Sequence, residues 1–205
     1  MYEVEVKVPA DHDAVRGALA ALGVERAETV AQADTYFDAP HRDFAETDEA
    51  LRVRRTAAAT AAFDPAAAGE TSGAVDAVLD GEDGGPGESR VTYKGPLLEA
   101  ESKSREEFET GVDSGEALGE IFGRLGFEPA ATVRKLRERY RVGEFTVLLD
   151  AVEDVGEYVE VETDVADEAD VAAAREAAYD VLRRLGLDPA DQVRTSYLGL
   201  KLDAA

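Results

Sequence analysis

The sequence contains no cysteine and no tryptophan, and only two of its 205 residues are histidine. Without cysteine the protein has no disulfide framework, no thiolate zinc site and no cysteine nucleophile. A metal ion would therefore need oxygen or histidine ligands. The chain also lacks an apolar run of about 18 residues and a basic-then-apolar N-terminus, so we expect a soluble, cytoplasmic protein without a membrane span.

Basic residues are scarce, with 22 Lys+Arg against 45 Asp+Glu and a formal net charge of −23. Nucleic-acid binding is disfavoured because phosphate backbones are attracted by a broad basic face. A small local anion site remains compatible with this charge. Only five of the basic residues are lysine, and an acidic, lysine-poor surface is typical of a halophilic protein, since concentrated salt screens its self-repulsion.

The length predicts one domain over residues 1–205, with an insertion at 57–89. That segment contains ten Ala, six Gly and seven acidic residues but neither Lys nor Arg. Because it offers no long apolar run to bury, the sequence predicts a mobile, disordered loop there.

Three segments with a Glu-x-Glu core or its equivalent, at 2–8, 105–112 and 158–165, are each followed by a helical apolar pattern that ends in Leu-Gly. The predicted helices are 11–22, 114–125 and 167–185. Further strands are predicted at 33–38, 50–56, 90–95, 132–142 and 144–152. About eight strands, many of them adjacent in sequence, favour an α+β fold with an antiparallel sheet or barrel.

Charged residues occupy one face of most predicted strands, because side chains two positions apart point the same way. In the first strand Glu3, Glu5 and Lys7 alternate with valines. Extending the count gives seven carboxylates: Glu3, Glu5, Glu107, Glu109, Asp150, Glu160 and Glu162. It also gives eight basic residues: Lys7, Arg52, Arg54, Lys94, Arg105, Lys135, Arg137 and Arg139.

These faces have two interpretations. Each strand alone is an ordinary amphipathic strand with a solvated polar side. If helices cover the apolar faces, the charged faces instead line a cavity whose charges need compensation. A polyphosphate with divalent cations fits, because Arg and Lys bind phosphate oxygens and carboxylates bind Mg²⁺ or Mn²⁺. The residue types indicate metal-assisted phosphoryl or nucleotidyl transfer.

Eight short motifs occur in an order that resembles the CYTH family, also called triphosphate tunnel metalloenzymes. They begin with the Glu-x-Glu-x-Lys of residues 3–7 and include the Leu-Arg-Val-Arg of residues 51–54. The others are Asp34-Thr-Tyr-Phe-Asp-Ala-Pro40, Thr92-Tyr-Lys-Gly-Pro96, Ser104-Arg-Glu-Glu-Phe-Glu109, Val133-Arg-Lys-Leu-Arg137, Leu149-Asp-Ala-Val152 with Gly156-Glu-Tyr-Val-Glu-Val-Glu162, and Ser196-Tyr-Leu198.

The resemblance implies an eight-stranded antiparallel β-barrel, the triphosphate tunnel, with helices packed outside. It implies that the triphosphate is held by Lys7, Arg52, Arg54, Lys94, Arg105, Lys135 and Arg137, with Lys7 and Lys94 as the catalytic cations. It also implies that two Mg²⁺ or Mn²⁺ ions are held by Glu3, Glu5, Glu107, Glu109, Asp150, Glu160 and Glu162. For Arg139, and for Tyr36, Asp38 and Ser196-Tyr197, we expect ion-pair or structural roles.

The leading functional hypothesis is a class IV adenylate cyclase-like enzyme that converts ATP to cyclic AMP and pyrophosphate. The alternatives are an inorganic, nucleoside or thiamine triphosphatase, a non-catalytic polyphosphate- or nucleotide-binding module, and an acidic interaction protein. The expected partner is a nucleoside triphosphate or inorganic triphosphate, and either a monomer or a homodimer is compatible with the sequence.

Overall fold

Eight antiparallel strands form one sheet in the structure, a computed structural model that describes residues 2–97 and 105–203. The side chains of Glu3, Ala45, Leu97, Arg105 and Glu168 lie outside this description. The strands are β1 Tyr2–Pro9, β2 Arg26–Asp38, β3 Ala50–Ala58, β4 Glu88–Leu97, β5 Arg105–Val112, β6 Glu128–Val142, β7 Phe145–Val152 and β8 Gly156–Val165.

The strand order is β1-β8-β7-β6-β2-β3-β4-β5. The predicted antiparallel α+β architecture is therefore confirmed. Within the described chain, however, β1 pairs only with β8 and β5 pairs only with β4. The sheet is open between these two edges, so the expected closure into a barrel is not present in this part of the structure.

The α-helices of the described residues are α1 His12–Ala21, α2 Phe44–Thr47, α3 Thr71–Leu79, α4 Gly115–Arg124, α5 Val171–Arg184 and α6 Tyr197–Asp203. α1, α3 and α5 cover one face of the sheet, whereas Tyr197 of α6 lies against Lys7 and Lys135 of the opposite face. α1 and α5 bury Val15, Leu19 and Leu182 against the valines of β1, β7 and β8. The three predicted helices correspond to α1, α4 and α5, which confirms the helical periodicity. No helix of the described residues is both long enough and apolar enough to cross a membrane.

The 57–89 segment differs from the expected disordered loop, because it contains α3. Val75 and Val78 of this helix are buried with Ala31 of β2 and Leu136 of β6 in a second apolar cluster. The exposed side of α3 is tied to β6 by an ion pair between Asp76 and Arg134. Composition conceals this helix, since its apolar stripe comprises only Ala74, Val75 and Val78 in an alanine-rich context.

Packing of α3 predicts that Val75→Asp destabilises the protein. An unpaired carboxylate in this fully buried position should lower the free energy of unfolding by about 3 kcal/mol or more. Urea denaturation measures the change. The matched control is Gly73→Asp, which places the same carboxylate on the exposed side of α3. Equal, small effects of the two substitutions would show that α3 does not pack on the sheet.

Candidate functional site: a charged sheet face

A buried ion cluster occupies the centre of the sheet face opposite α1 and α5. Asp150 of β7 is 0% exposed and accepts hydrogen bonds from Lys135 Nζ at 2.8 Å and from Arg137 Nε at 2.6 Å. Register places Arg137 directly opposite Asp150 across the β6–β7 pair. Burial raises the pKa of Asp150, but the charges of Arg137 and Lys135 outweigh burial and hold that pKa below its usual value. The carboxylate therefore stays ionised in the interior.

A second carboxylate of the cluster belongs to β8. Glu160 accepts a hydrogen bond from Arg137 Nη2 at 2.6 Å and is 5% exposed. Burial and the neighbouring charge of Asp150 raise the pKa of Glu160, and Glu5 of β1 adds to this effect. The negative charges of Asp150 and Glu5 therefore act on Glu160, while Arg137 and Lys135 oppose them.

Lys7 of β1 enters the same region. Its ammonium donates to the Thr195 carbonyl at 2.6 Å and lies 4.2 Å from the centroid of the Tyr197 ring. The Lys135 ammonium lies 5.0 Å from the same centroid. Because β8 and β7 separate β1 from β6 in the sheet, Tyr197 brings together cations from strands three positions apart.

A second ion cluster lies on β2 and β3. Asp34 accepts hydrogen bonds from Arg54 Nε and Nη2, both at 2.6 Å, and a longer one from Arg52 Nη1 at 3.5 Å. Burial raises the pKa of Asp34, but the two arginines outweigh it and lower that pKa overall. Arg52 Nε is buried without a hydrogen-bond partner among the described residues, which leaves one donor of this cluster unsatisfied.

The two clusters act on each other electrostatically. Burial lowers the pKa of Lys135, and the positive charges of Arg137 and Arg54 lower it further, whereas Asp150 opposes the shift. The positive charge of Arg137 likewise acts to lower the pKa of Arg54. Three cations from β6 and β3 therefore repel one another across the middle of the face, which is an arrangement that a bound polyanion would stabilise.

The β4–β5 side of the face is more open. Lys94 pairs with Glu107 at 2.6 Å, and Glu109 accepts hydrogen bonds from Thr92 at 2.8 Å and Arg90 at 2.7 Å. The Glu107 and Glu109 side chains are 44% and 36% exposed. Such surface pairs hold side chains weakly, so Lys94 and Glu107 are free to exchange partners.

The structure therefore divides the predicted site residues into groups. Buried or half-buried members that form the two central clusters are Lys7, Arg52, Arg54, Lys135, Arg137, Asp150 and Glu160. Lys94, Glu107 and Glu109 lie on the β4–β5 side, and Glu5 and Glu162 face each other in register on β1 and β8. The predicted roles of Glu3 and Arg105 concern side chains outside the description. Arg139 pairs with Glu28 at a 460 Å³ cavity that Glu162 also lines.

The described side chains of the predicted metal ligands lie in more than one part of the face. Among the described side chains, no group of three or more Asp, Glu or His residues has the arrangement of a metal site. Asp150 illustrates the reason, because both of its oxygens accept hydrogen bonds from Arg137 and Lys135. Its negative charge is already compensated by protein cations.

Two residues of the site were not identified as such from the sequence. Asp34 belongs to one of the sequence motifs, and its register opposite Arg54 makes it the counterion of the β3 arginines. Tyr197, for which we expect a structural role, contacts both Lys7 and Lys135 with its ring. The alternation on β2 could have identified Asp34; nothing in the local sequence pattern indicates where α6 docks.

These features describe an α+β protein whose antiparallel sheet carries paired charges of both signs on one face. Residues 1–197 match the CYTH domain, and the chain belongs to the CYTH domain family. It is 33% identical over 202 residues to a Methanocaldococcus jannaschii protein provisionally named an adenylate cyclase, an alignment that covers 98% of this chain and 99% of that protein.

Solved structures share the fold. A Pyrococcus horikoshii protein is 32% identical, with a TM-score of 0.76 over 100% of both chains. A Hippeastrum protein provisionally described as an adenylyl cyclase, with dominant triphosphatase activity, has a TM-score of 0.62 at 18% identity and covers 98% of this chain and 94% of its own. At that identity the likeness to the Hippeastrum protein is one of fold.

The lowered pKa of Asp34 predicts how stability depends on pH. A carboxyl group with a depressed folded-state pKa stabilises the fold above its unfolded pKa of about 3.9 and loses this contribution as pH falls towards the folded value. Asp34→Asn should therefore lower the free energy of unfolding by about 2 kcal/mol or more at pH 7. The gap between wild type and variant should narrow below about pH 4. Urea denaturation from pH 7 to 3 measures both effects.

The control for this experiment is Asp180→Asn. Asp180 pairs with Arg183 on α5, and both side chains are more than half exposed, so its loss should change the free energy of unfolding by less than about 1 kcal/mol. A difference between wild type and Asp34→Asn that stays constant down to pH 3 would contradict the ion-pair interpretation.

Proposed function

We propose that the protein binds a triphosphate on this sheet face and acts as a metal-dependent, class IV adenylate cyclase-like enzyme. The observation that carries the proposal is the placement of Lys135, Arg137 and Arg54 on one face of the sheet, where their donors are held by the buried carboxylates of Asp150 and Asp34, whose oxygens a chain of phosphates would replace as acceptors. Family membership and the name of the Methanocaldococcus relative support the same reaction class.

Substrate binding in this proposal is an exchange of anions. Asp34 and Asp150 compensate the cations when no substrate is bound, and phosphate oxygens offer the same acceptors with more charge. Arg52 Nε is a buried donor with no partner in the described chain, so it has a hydrogen bond to give. The proposed triphosphate-binding set is Lys7, Arg52, Arg54, Lys94, Arg105, Lys135 and Arg137.

The carboxylates fit a hard divalent cation by their chemistry. Glu5, Glu160 and Glu162 supply oxygen ligands from the adjacent strands β1 and β8, and burial together with the charges of Asp150 and Glu5 raises the pKa of Glu160. We propose these three, together with Glu3, Glu107, Glu109 and Asp150, as residues that would hold two Mg²⁺ or Mn²⁺ ions. When bound, such ions would neutralise phosphate charge and polarise the phosphoryl group.

In the proposed reaction the ribose 3′-oxygen of ATP forms a bond to the α-phosphorus while the bond from that phosphorus to the bridging oxygen breaks. The 3′-hydroxyl proton passes to solvent, and pyrophosphate leaves. Protein cations stabilise the charge that develops on the phosphate oxygens. Lys7 and Lys94 are proposed for this role because they approach the face from its two sides, β1 and β4.

A triphosphatase is the second candidate function. It would use the same cations and carboxylates, with water instead of the 3′-hydroxyl as the nucleophile. The Hippeastrum protein of the same fold is described with dominant triphosphatase activity, so this fold is compatible with hydrolysis. The two reactions differ in their products and are therefore separable by experiment.

Product analysis tests the proposed function. Purified protein is incubated with ATP, and separately with inorganic triphosphate, in concentrated KCl with Mg²⁺ or Mn²⁺. We expect cyclic AMP and pyrophosphate from ATP. Glu5→Ala should lower turnover by at least about 100-fold, because carboxylates on other strands cannot take the place of a lost metal ligand on β1. Glu176→Ala, an exposed carboxylate on α5, is the matched control.

The other outcomes are equally informative. Orthophosphate without cyclic AMP would contradict the cyclase and establish a triphosphatase. If neither product forms and Glu5→Ala binds triphosphate as tightly as wild type, the protein is a binding module and the enzymatic proposal is wrong.

A further inference from the structure

The ring of Tyr197 contacts two lysines that no strand pairing connects. Lys7 Nζ lies 4.2 Å and Lys135 Nζ lies 5.0 Å from the ring centroid, both within the range of cation–π attraction. Tyr158 packs edge-on against Tyr197 with 5.4 Å between centroids. A second aromatic side chain therefore fixes the orientation of the ring between the two ammonium groups.

The segment that precedes Tyr197 also holds Lys7 by its backbone. The Val193 N–H donates to the Lys7 carbonyl at 2.8 Å, and Lys7 Nζ donates to the Thr195 carbonyl at 2.6 Å. α6 then begins at Tyr197, with Ser196 Oγ accepting from Gly199 N–H at 3.1 Å. These contacts connect the C-terminal segment to the first strand at one residue.

The surroundings of the Tyr197 hydroxyl keep it neutral. Burial, together with the nearby carboxylates of Asp150 and Glu160, raises the pKa of Tyr197 far above its usual value. The side chain thus presents an uncharged ring to the lysines across the working pH range. An aromatic face attracts an ammonium group in addition to that group's hydrogen-bond partners, which for Lys135 include Asp150.

We propose that Tyr197 is a positioning residue of the triphosphate site, whose ring holds the ammonium groups of Lys7 and Lys135 in the place where they would meet phosphate oxygens. The inference rests on the proposed function, since it assigns these lysines to triphosphate binding. The positioning role of Tyr197 differs from a packing role because it depends on the electron density of the ring.

Fluorination of the ring separates these roles. Tyr197 is replaced by Phe, and then by phenylalanine carrying three or five ring fluorines, which withdraw electrons from the aromatic face at nearly constant shape. The affinity of each full-length protein for tripolyphosphate is measured by calorimetry in EDTA, so that no divalent ion contributes. We expect Tyr197→Phe to bind within about twofold of wild type and the five-fluorine variant to bind about tenfold more weakly.

Leu200→Ala serves as the structural control, because it removes packing from α6 without touching the ring. It should leave the affinity within about twofold of wild type. Equal affinities across the fluorine series would overturn the inference, as would a loss in Leu200→Ala as large as that in the five-fluorine variant. The isosteric series avoids reliance on Tyr197→Leu, which removes a large, half-buried side chain.

A second readout distinguishes failure of the inference from failure of the proposed function. Protons of a lysine side chain above an aromatic ring shift upfield in NMR spectra, and the chain contains only five lysines. Upfield signals for Lys7 and Lys135 that disappear in Tyr197→Leu support the positioning contact even if wild type binds no tripolyphosphate, which would refute only the proposed function. Absence of these signals in wild type overturns the inference.

Discussion

Compensation of buried positive charge is the constraint on which the charged sheet face depends. Lys135 and Arg137 are removed from water, and without Asp150 each would cost several kilocalories per mole to bury. Asp34 does the same for Arg52 and Arg54. Because Asp150 and Asp34 are each shared by two cations, the cations of these two pairs outnumber the carboxylates that compensate them.

Apolar side chains on the opposite face of the sheet supply the stability that offsets the cost of these buried charges. Alternation along β1, β7 and β8 directs Val6, Val147 and Val161 towards α1 and α5, where they are fully buried. At about 25 cal/mol per Å² of apolar surface, such burial is the main source of stability in a domain of this size. Apolar burial therefore offsets the free-energy cost of the buried ion pairs, which allows the charged face to bind a ligand.

Periodicity allows much of this division to be predicted. A period of two in β1 and β8 separates the glutamates from the valines, and a period of 3.6 identifies α1, α4 and α5. The features that could not be predicted depend on contacts distant in sequence. α3 is stabilised by Ala31 and Leu136 rather than by its own composition, and Tyr197 reaches Lys7 across 190 positions of the chain. The open edge between β1 and β5 in the described residues likewise has no signal in either strand's own sequence.

The distribution of charge also explains how so acidic a protein can carry an anion site. The net charge of −23 belongs to the whole chain, whereas Lys7, Lys135, Arg137 and Arg54 are concentrated on one face. Carboxylates of the same face pair with these cations, so the proposed anion site depends on local donors, and charges beyond about 10 Å are screened by salt. The acidic composition and a local anion site are therefore compatible.

The central claim is that these cations bind a triphosphate, and thermal unfolding with added tripolyphosphate at constant ionic strength tests it most directly. A ligand that binds only the folded state stabilises it by about 2.7 kcal/mol at 100 times its dissociation constant. Wild type and Lys201→Met, a lysine paired with Asp154 at the surface, should show this stabilisation, and Lys135→Met should lose most of it. No shift in wild type, or an equal shift in Lys135→Met, would contradict the account.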